Sequence, residues 1–179
     1  MEHQQDMPAA PAFPGLSDQI NALQGMAQAT VTGGHHDLGP DLWLSSDPAG
    51  QTVMSCGPGE HGVRLTLEAG DSGAWACLGM RLPPEVLRRG RYLGLLLDVR
   101  AEGVISFTPT LRYFLADGGM HDEAAPMPVL LAGGARTHLS HIPLDPDRAQ
   151  QARGCELNLF FSSDAFAAEF AKIEPLLIL

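Results

Sequence analysis

Two segments in the middle of the chain restrict its fold more than any other feature. In residues 91–100, Leu93, Leu95, Leu97 and Val99 fall on one side, and Tyr92, Gly94, Leu96, Asp98 and Arg100 on the other. Residues 105–115 repeat the pattern, with Ile105, Phe107, Leu111, Tyr113 and Leu115 opposite Ser106, Thr108, Thr110, Arg112 and Phe114. A period of two is what a pleated strand imposes, so each segment offers an apolar face to a core and a polar, arginine-bearing face to the outside.

The rest of the chain is punctuated to match. Turn signals recur at Asp47–Gly50, Gly57–Gly59, Gly70–Gly73, Gly118–Gly119, Gly133–Gly134 and Asp145–Pro146. Between them lie short runs at 42–46, 52–56, 63–68, 75–82, 128–131, 137–144 and 156–161, each of strand length. Residues 82–90 contain Pro83, Pro84 and Gly90 and predict one or two helical turns. Phe166, Phe170 and Ile173 fit a helix face or a strand equally well, and residues 173–179 predict a final strand. With no alternation of strand and long helix, the pattern predicts an all-β fold: a two-sheet antiparallel β-sandwich of jelly-roll type. Its expected core includes Leu65, Leu67, Leu78, Met80, Leu157, Leu159 and Phe161 beside the residues of the two central strands.

Upstream of the sandwich the signals weaken. Residues 1–16, rich in Pro, Ala and Gln, bury too little to order themselves and predict a flexible tail. Residues 17–40 predict a short helix over 18–28, with Ser17 as N-cap, followed by a loop at 32–40. The sandwich domain is then expected over 41–179.

Composition excludes some functions. A formal charge of -10 repels phosphate backbones, and no basic stripe interleaved with aromatics offsets it, so nucleic acid is not an expected partner. All the basic residues but Lys172 are arginine in a chain rich in Ala, Gly and Pro, a bias associated with GC-rich bacterial genomes. Cys56, Cys77 and Cys155 are odd in number and widely spaced, which speaks for a reducing compartment rather than a disulfide framework, and Cys77 and Cys155, within strand patterns, read as small hydrophobes. The first residues have neither a basic n-region nor an apolar h-region, and no apolar run spans a bilayer. The expectation is a soluble, cytoplasmic protein without membrane insertion.

The succession Trp75-x-x-Leu-x-Met-x-Leu-Pro-Pro, then residues 92–100, 111–118, 142–145 and 156–161, resembles the strand order of galactose-binding-like jelly rolls, the fold of many carbohydrate-binding modules. The resemblance covers roughly residues 60–179 and implies a non-catalytic module with a saccharide or protein partner. A saccharide site needs hydrogen-bonding side chains beside an aromatic face. The candidates are Asp98, Arg100, Thr108, Thr110, Arg112, Glu156 and Asn158, with Tyr92, Trp43 or Trp75 as platform. The competing reading is that these arginines and acids pair across the ladder and do nothing more.

Catalytic signals are sparse. His35-His36-Asp37 and His138-x-x-His141 look like metal-ligand pairs, but His138 and His141 would point to opposite faces of a strand, and no cofactor is expected. The acids of residues 117–123 suit a structural calcium by type but not by spacing. There is no G-x-S-x-G elbow, P-loop or dinucleotide fingerprint. Two alternatives to a saccharide-binding module therefore stand: a protein-interaction or structural module without a small ligand, and a carbohydrate-active enzyme whose carboxylates meet only in space.

Overall fold

The structure, a computed structural model, describes residues 11–68, 74–162 and 164–179. The first ten residues of the expected tail and the turn at 70–73 lie outside them. The strands are β1 (Ala29–Thr32), β2 (Gly34–Gly39), β3 (Leu42–Ser46), β4 (Val53–Pro58), β5 (Val63–Leu67), β6 (Ala76–Leu82), β7 (Tyr92–Leu115), β8 (Met120–Ala124), β9 (Val129–Pro143), β10 (Ala152–Phe161) and β11 (Phe166–Ile178). Among the described residues three short α-helices accompany them: α1 (Pro14–Ala22), α2 (Pro84–Leu87) and α3 (Pro146–Gln151).

The two diagnostic segments are one strand. β7 runs through 24 residues, pairing with β11 along its first half and with β10 along its second, so it belongs to both layers of an antiparallel sandwich. Sheet I has the order β1-β4-β5-β11-β7-β9, and sheet II the order β2-β3-β6-β10-β7, with β8 and the start of β9 on the far edge. The corner between the layers is made at Gly103 (φ +88°) on β7 and at Gly133 and Gly134 (φ +47° and +72°) on β9, where the register slips. A Cβ disfavours these left-handed conformations, so glycine permits the bend.

Burial follows the alternation. Leu93, Leu95, Leu97 and Val99 from sheet I meet Leu78, Met80, Leu111, Tyr113, Leu157, Leu159 and Phe161 from sheet II, all in one buried cluster with Leu65 and Leu67. Two prolines sit where a missing N–H costs nothing. Pro175 lies in the part of β11 beyond its pairing with β5, and Pro109 occupies the gap on β7 between the ends of β9 and β8. Residues 166–172 are therefore strand, because their Phe166, Ala168 and Phe170 fill the same core at a period of two.

The N-terminal expectations need correction. The helix starts at Pro14 rather than after Ser17, with proline in its first turn, and the Ser17 hydroxyl donates back to the Phe13 carbonyl at 3.1 Å instead of capping. Phe13, Leu16, Ile20 and Leu23 are buried in the main core, so ordered chain extends into the stretch expected as tail. Residues 32–39, expected as loop, join residues 29–31 in contributing β1 and β2, since pairing with β4 and β3 satisfies a backbone that Gly33 and Gly34 only punctuate. Among the described residues no helix is long and apolar enough to cross a membrane.

Leu95 is buried between the layers. Leu95→Ala should lower the stability measured by chemical denaturation by about 2–5 kcal/mol, through lost transfer energy and the cavity left behind. Tyr113 is fully buried and its hydroxyl lies near the Asp145 backbone without making a hydrogen bond. Burial pushes its phenol up to about 12. Tyr113→Phe is therefore expected to hold or raise stability by up to about 1 kcal/mol, and a loss larger than that would show the hydroxyl to be paired.

Candidate functional site

Because β7 crosses from one layer to the other, its outward side chains are divided between two opposite surfaces. Tyr92, Asp98 and Arg100 lie on the outside of sheet I, whereas Arg112, Asn158 and Trp75 lie on the outside of sheet II. The sequence candidates therefore do not form one site. Arg100 and Arg112 are both in phase with the outward residues of β7, but outward means opposite directions on either side of the corner.

On sheet II the register aligns side chains in rows across the strands. One row runs Arg81, Glu156, Arg112, Asp122, from β6 through β10 and β7 to β8. The next runs Trp43, Gly79, Asn158, Thr110, and a third runs Ser45, Cys77, Phe160, Thr108. These residues point away from the core, yet Trp43, Cys77, Thr110 and Asn158 are buried. They are covered by one another. The Trp43 indole lies across Gly79, where a Cβ would come within 2.2 Å of the ring. His35 packs on its face at 5.9 Å between ring centroids, and the Arg81 guanidinium stands 6.0 Å from it in a cation–π arrangement. Trp43 is thus part of a second, outer packing layer and not a solvent-facing platform. Trp75, by contrast, is 37% exposed and meets Phe160 edge-on at 6.0 Å.

The polar centre of this surface is asymmetric. Arg112 donates from Nε and Nη2 to the two oxygens of Asp122 at 2.7 and 2.8 Å, a bidentate pair. That fork holds the Asp122 carboxyl below its ordinary range. Arg112 thus pairs with an acid across the ladder, as the competing reading holds, its guanidinium turning to Asp122 on the edge strand rather than to Glu156. Glu156 is half-buried and burial pushes its carboxyl up, against the pull of Arg112 and Arg81 and a hydrogen bond from Asn158. The Cys77 thiol donates to Asn158 Oδ1 at 3.3 Å, and burial raises it to about 12. Cys77 therefore serves this outer layer rather than the core. Sequence patterning placed Glu156 and Asn158 among the candidates but gave no sign that Arg81, His35 and Cys77 would join them, because those neighbours depend on strand order.

On sheet I, Asp98 accepts a 2.6 Å hydrogen bond from Thr137, and Tyr92 stacks edge-on with His141 at 5.5 Å between ring centroids. Among the described residues no group of three or more His, Cys, Asp or Glu side chains is arranged to hold a metal. In the 117–123 hairpin, Asp117 accepts from Gly119 N at 2.8 Å, Asp122 is bound by Arg112, and Glu123 meets Arg148 at 3.3 Å. His35 Nε2 lies 2.8 Å from Asp37 Oδ1.

No protein-family model matches the chain, and no curated protein matches it in sequence. Among solved structures it is similar to the family 11 carbohydrate-binding module from Clostridium thermocellum in complex with a β-1,3-1,4-mixed-linked tetrasaccharide. The TM-score is 0.51 at 11% identity, covering 85% of this chain and 96% of that one. The shared property is the β-jelly-roll fold. The CBM22-1 xylan-binding domain of Paenibacillus barcinonensis Xyn10C is also similar (TM-score 0.49, 10% identity, 75% and 85% covered). So is the family 11 xylanase of Neocallimastix patriciarum (0.49, 13%, 84% and 100%).

The raised Glu156 carboxyl has a definite signature. The folded state holds this proton more tightly than the unfolded chain, so the associated stability is fully present below the ordinary value of 4.5 and is lost as pH rises through the folded value. Glu156→Gln should accordingly match wild type in thermal stability near pH 4 and exceed it at pH 7. A variant less stable at pH 7 would mean that Arg112 and Arg81 outweigh the cost of burying the charge.

Proposed function

We propose that this protein is a non-catalytic bacterial β-sandwich module that binds saccharide on the outer surface of sheet II. The observation that carries the reading is the exposed Trp75, edge-on to Phe160, on the surface that also presents Arg112, Glu156 and Thr108. An apolar ring beside planar donors and acceptors meets the two needs of a sugar: a face for its C–H groups and partners for its hydroxyls. The likeness in fold to the Clostridium module supports the same reading and suggests the first ligand to try.

The surface suits binding better than hydrolysis. Two-carboxylate chemistry needs a second free acid near Glu156, and Asp122, the other carboxylate of that row, is engaged on both oxygens by Arg112. The Arg112–Asp122 pair also fixes the guanidinium plane, so its remaining N–H groups are oriented before any ligand arrives.

A second reading, contact with another protein, is favoured by the β9 edge. That strand pairs with β7 alone and exposes Leu130 and Leu139, with Met127 exposed just before it. An unpaired edge carrying apolar side chains is the kind of surface other chains add to. In that case no oligosaccharide binds.

Isothermal titration with the mixed-linked β-1,3-1,4 tetrasaccharide is the test. Trp75→Ala and Arg112→Ala should each weaken binding by about tenfold or more, equivalent to about 1.4 kcal/mol, with the fold intact by circular dichroism. Absence of binding by wild type, or affinity that survives both substitutions, removes sheet II as the saccharide surface.

A further inference from the structure

β9 is the free edge of sheet I. Among the described residues it pairs with β7 and with no other strand, so along its other side every second residue turns a backbone N–H and C=O away from the sheet. The edge is protected only at its ends. Gly133 and Gly134 (φ +47° and +72°) bend it on one side, and Pro143 has no N–H to offer on the other. Residues 135–142 remain between them, enough for an ordinary strand to pair with. A cavity of about 210 Å³ opens along this stretch, lined by residues 138–141 and by Pro126, Met127 and Pro128. Consecutive residues of both phases line it, so it lies at the strand's edge and not on one face of the sheet. Leu139, 55% exposed, and Met127, 75% exposed, leave apolar side chains in water there.

The charge of this edge selects its partner. The chain carries -10, yet residues 129–143 contain no acid, and their one permanent charge is Arg136. Asp98, the one acid of β7 opposite residues 135–142, accepts a hydrogen bond from the Thr137 hydroxyl at 2.6 Å. Two copies of so acidic a protein repel across most of their surfaces, and an edge without acids is where they approach at least cost. Its side chains also complement themselves. A two-fold axis normal to the sheet keeps the outer faces of both copies aligned only when odd residues pair with odd and even with even. With the axis at Leu139, that leucine lies opposite its own copy, Thr137 opposite His141 and Arg136 opposite Ile142, so no like charges face each other. Leu139 shares the outward phase of Leu96, its partner on β7, and the two exposed leucines cover one another on the outside of the joined sheet.

We propose that β9 pairs antiparallel with β9 of a second copy of this chain, about a two-fold axis at Leu139, so that sheet I runs unbroken through a dimer. The added strand supplies partners for the free backbone groups of residues 135–142 and covers the cavity beside Met127. Because the axis is normal to the sheet, the outer surfaces of both copies of sheet II face the same way. On the saccharide reading the dimer therefore offers two binding surfaces to one polysaccharide. The pairing itself does not rest on that reading.

The test is sedimentation velocity of the full chain over about 1–100 μM, the range that resolves a micromolar Kd. Wild type should pass from the mass of one chain to that of two as concentration rises, with amide hydrogen exchange of residues 135–142 slowing in step. Leu139→Lys and Leu139→Glu should each weaken the dimer by about tenfold or more, since each sets like charges opposite one another across the axis. Mixed in equal amounts, the two variants should pair again, more tightly than either does alone. Leu139 is more than half exposed, so both should keep the fold by circular dichroism. Titration of the mixed-linked tetrasaccharide into the monomeric Leu139→Lys variant reports on sheet II separately. A wild type that stays monomeric throughout, which leaves the edge to a different protein, would overturn the proposal. So would a dimer indifferent to both substitutions, or two variants that fail to pair when mixed.

Discussion

The whole architecture hangs on β7 passing without a break from one layer to the other. Its first half supplies Leu93, Leu95, Leu97 and Val99 to the core from sheet I, and its second half supplies Phe107, Leu111 and Tyr113 from sheet II. β9 follows it around the same corner, with Gly133 and Gly134 opposite Gly103. The two sheets are therefore tied covalently and by a shared ladder, and the core between them closes because one strand presents its apolar side to both halves. At the far ends β1 lies against β2 and β3, bringing the sheet almost back onto itself, while α1 adds Phe13, Leu16 and Ile20 to the core.

The same corner decides where chemistry is available. Outward residues of β7 divide into two populations that cannot meet: a packed, mixed-polarity layer on sheet II, and Tyr92, Asp98 and Arg100 on sheet I. On sheet II, absence of a side chain at Gly79 lets Trp43 lie down on the sheet, and that indole supports His35 and Arg81. Burial of polar groups on this nominally solvent-facing side is tolerable because Cys77, Asn158 and Thr110 each have a hydrogen-bond partner. Glu156 is the exception whose charge is under-compensated, and its position beside Arg112 rather than in bond with it follows from the edge strand β8 offering Asp122.

The fold was legible in the residues wherever a period of two ran long enough. Residues 92–100 and 105–115, the cluster Leu157, Leu159, Phe161, and the pair Leu78, Met80 all turn their apolar sides into the core as alternation demands. Legibility failed where alternation was short or polar. β2 carries Gly34, His35, His36 and Asp37, a composition suited to a loop, and becomes a strand only because β3 offers it a ladder. Residues 166–172 satisfy helical and strand spacing alike, and the choice is made by the slot between β5 and β7 that an extended segment fills. At the N-terminus Phe13 and Leu16 are too few to announce a helix, and burial against the sandwich supplies what propensity does not.

By itself the sequence determined the class of fold, most of the core and the residue types of the outward faces, because pleating converts alternation directly into inside and outside. Only the tertiary structure decided which outward residues are neighbours. Strand order and register are long-range choices, so the row Arg81, Glu156, Arg112, Asp122 draws on four strands from Arg81 to Glu156 in sequence. The separation of Arg100 from Arg112 is likewise invisible in their shared phase, since a bend at one glycine, Gly103, turns a single outward face into two that look in opposite directions.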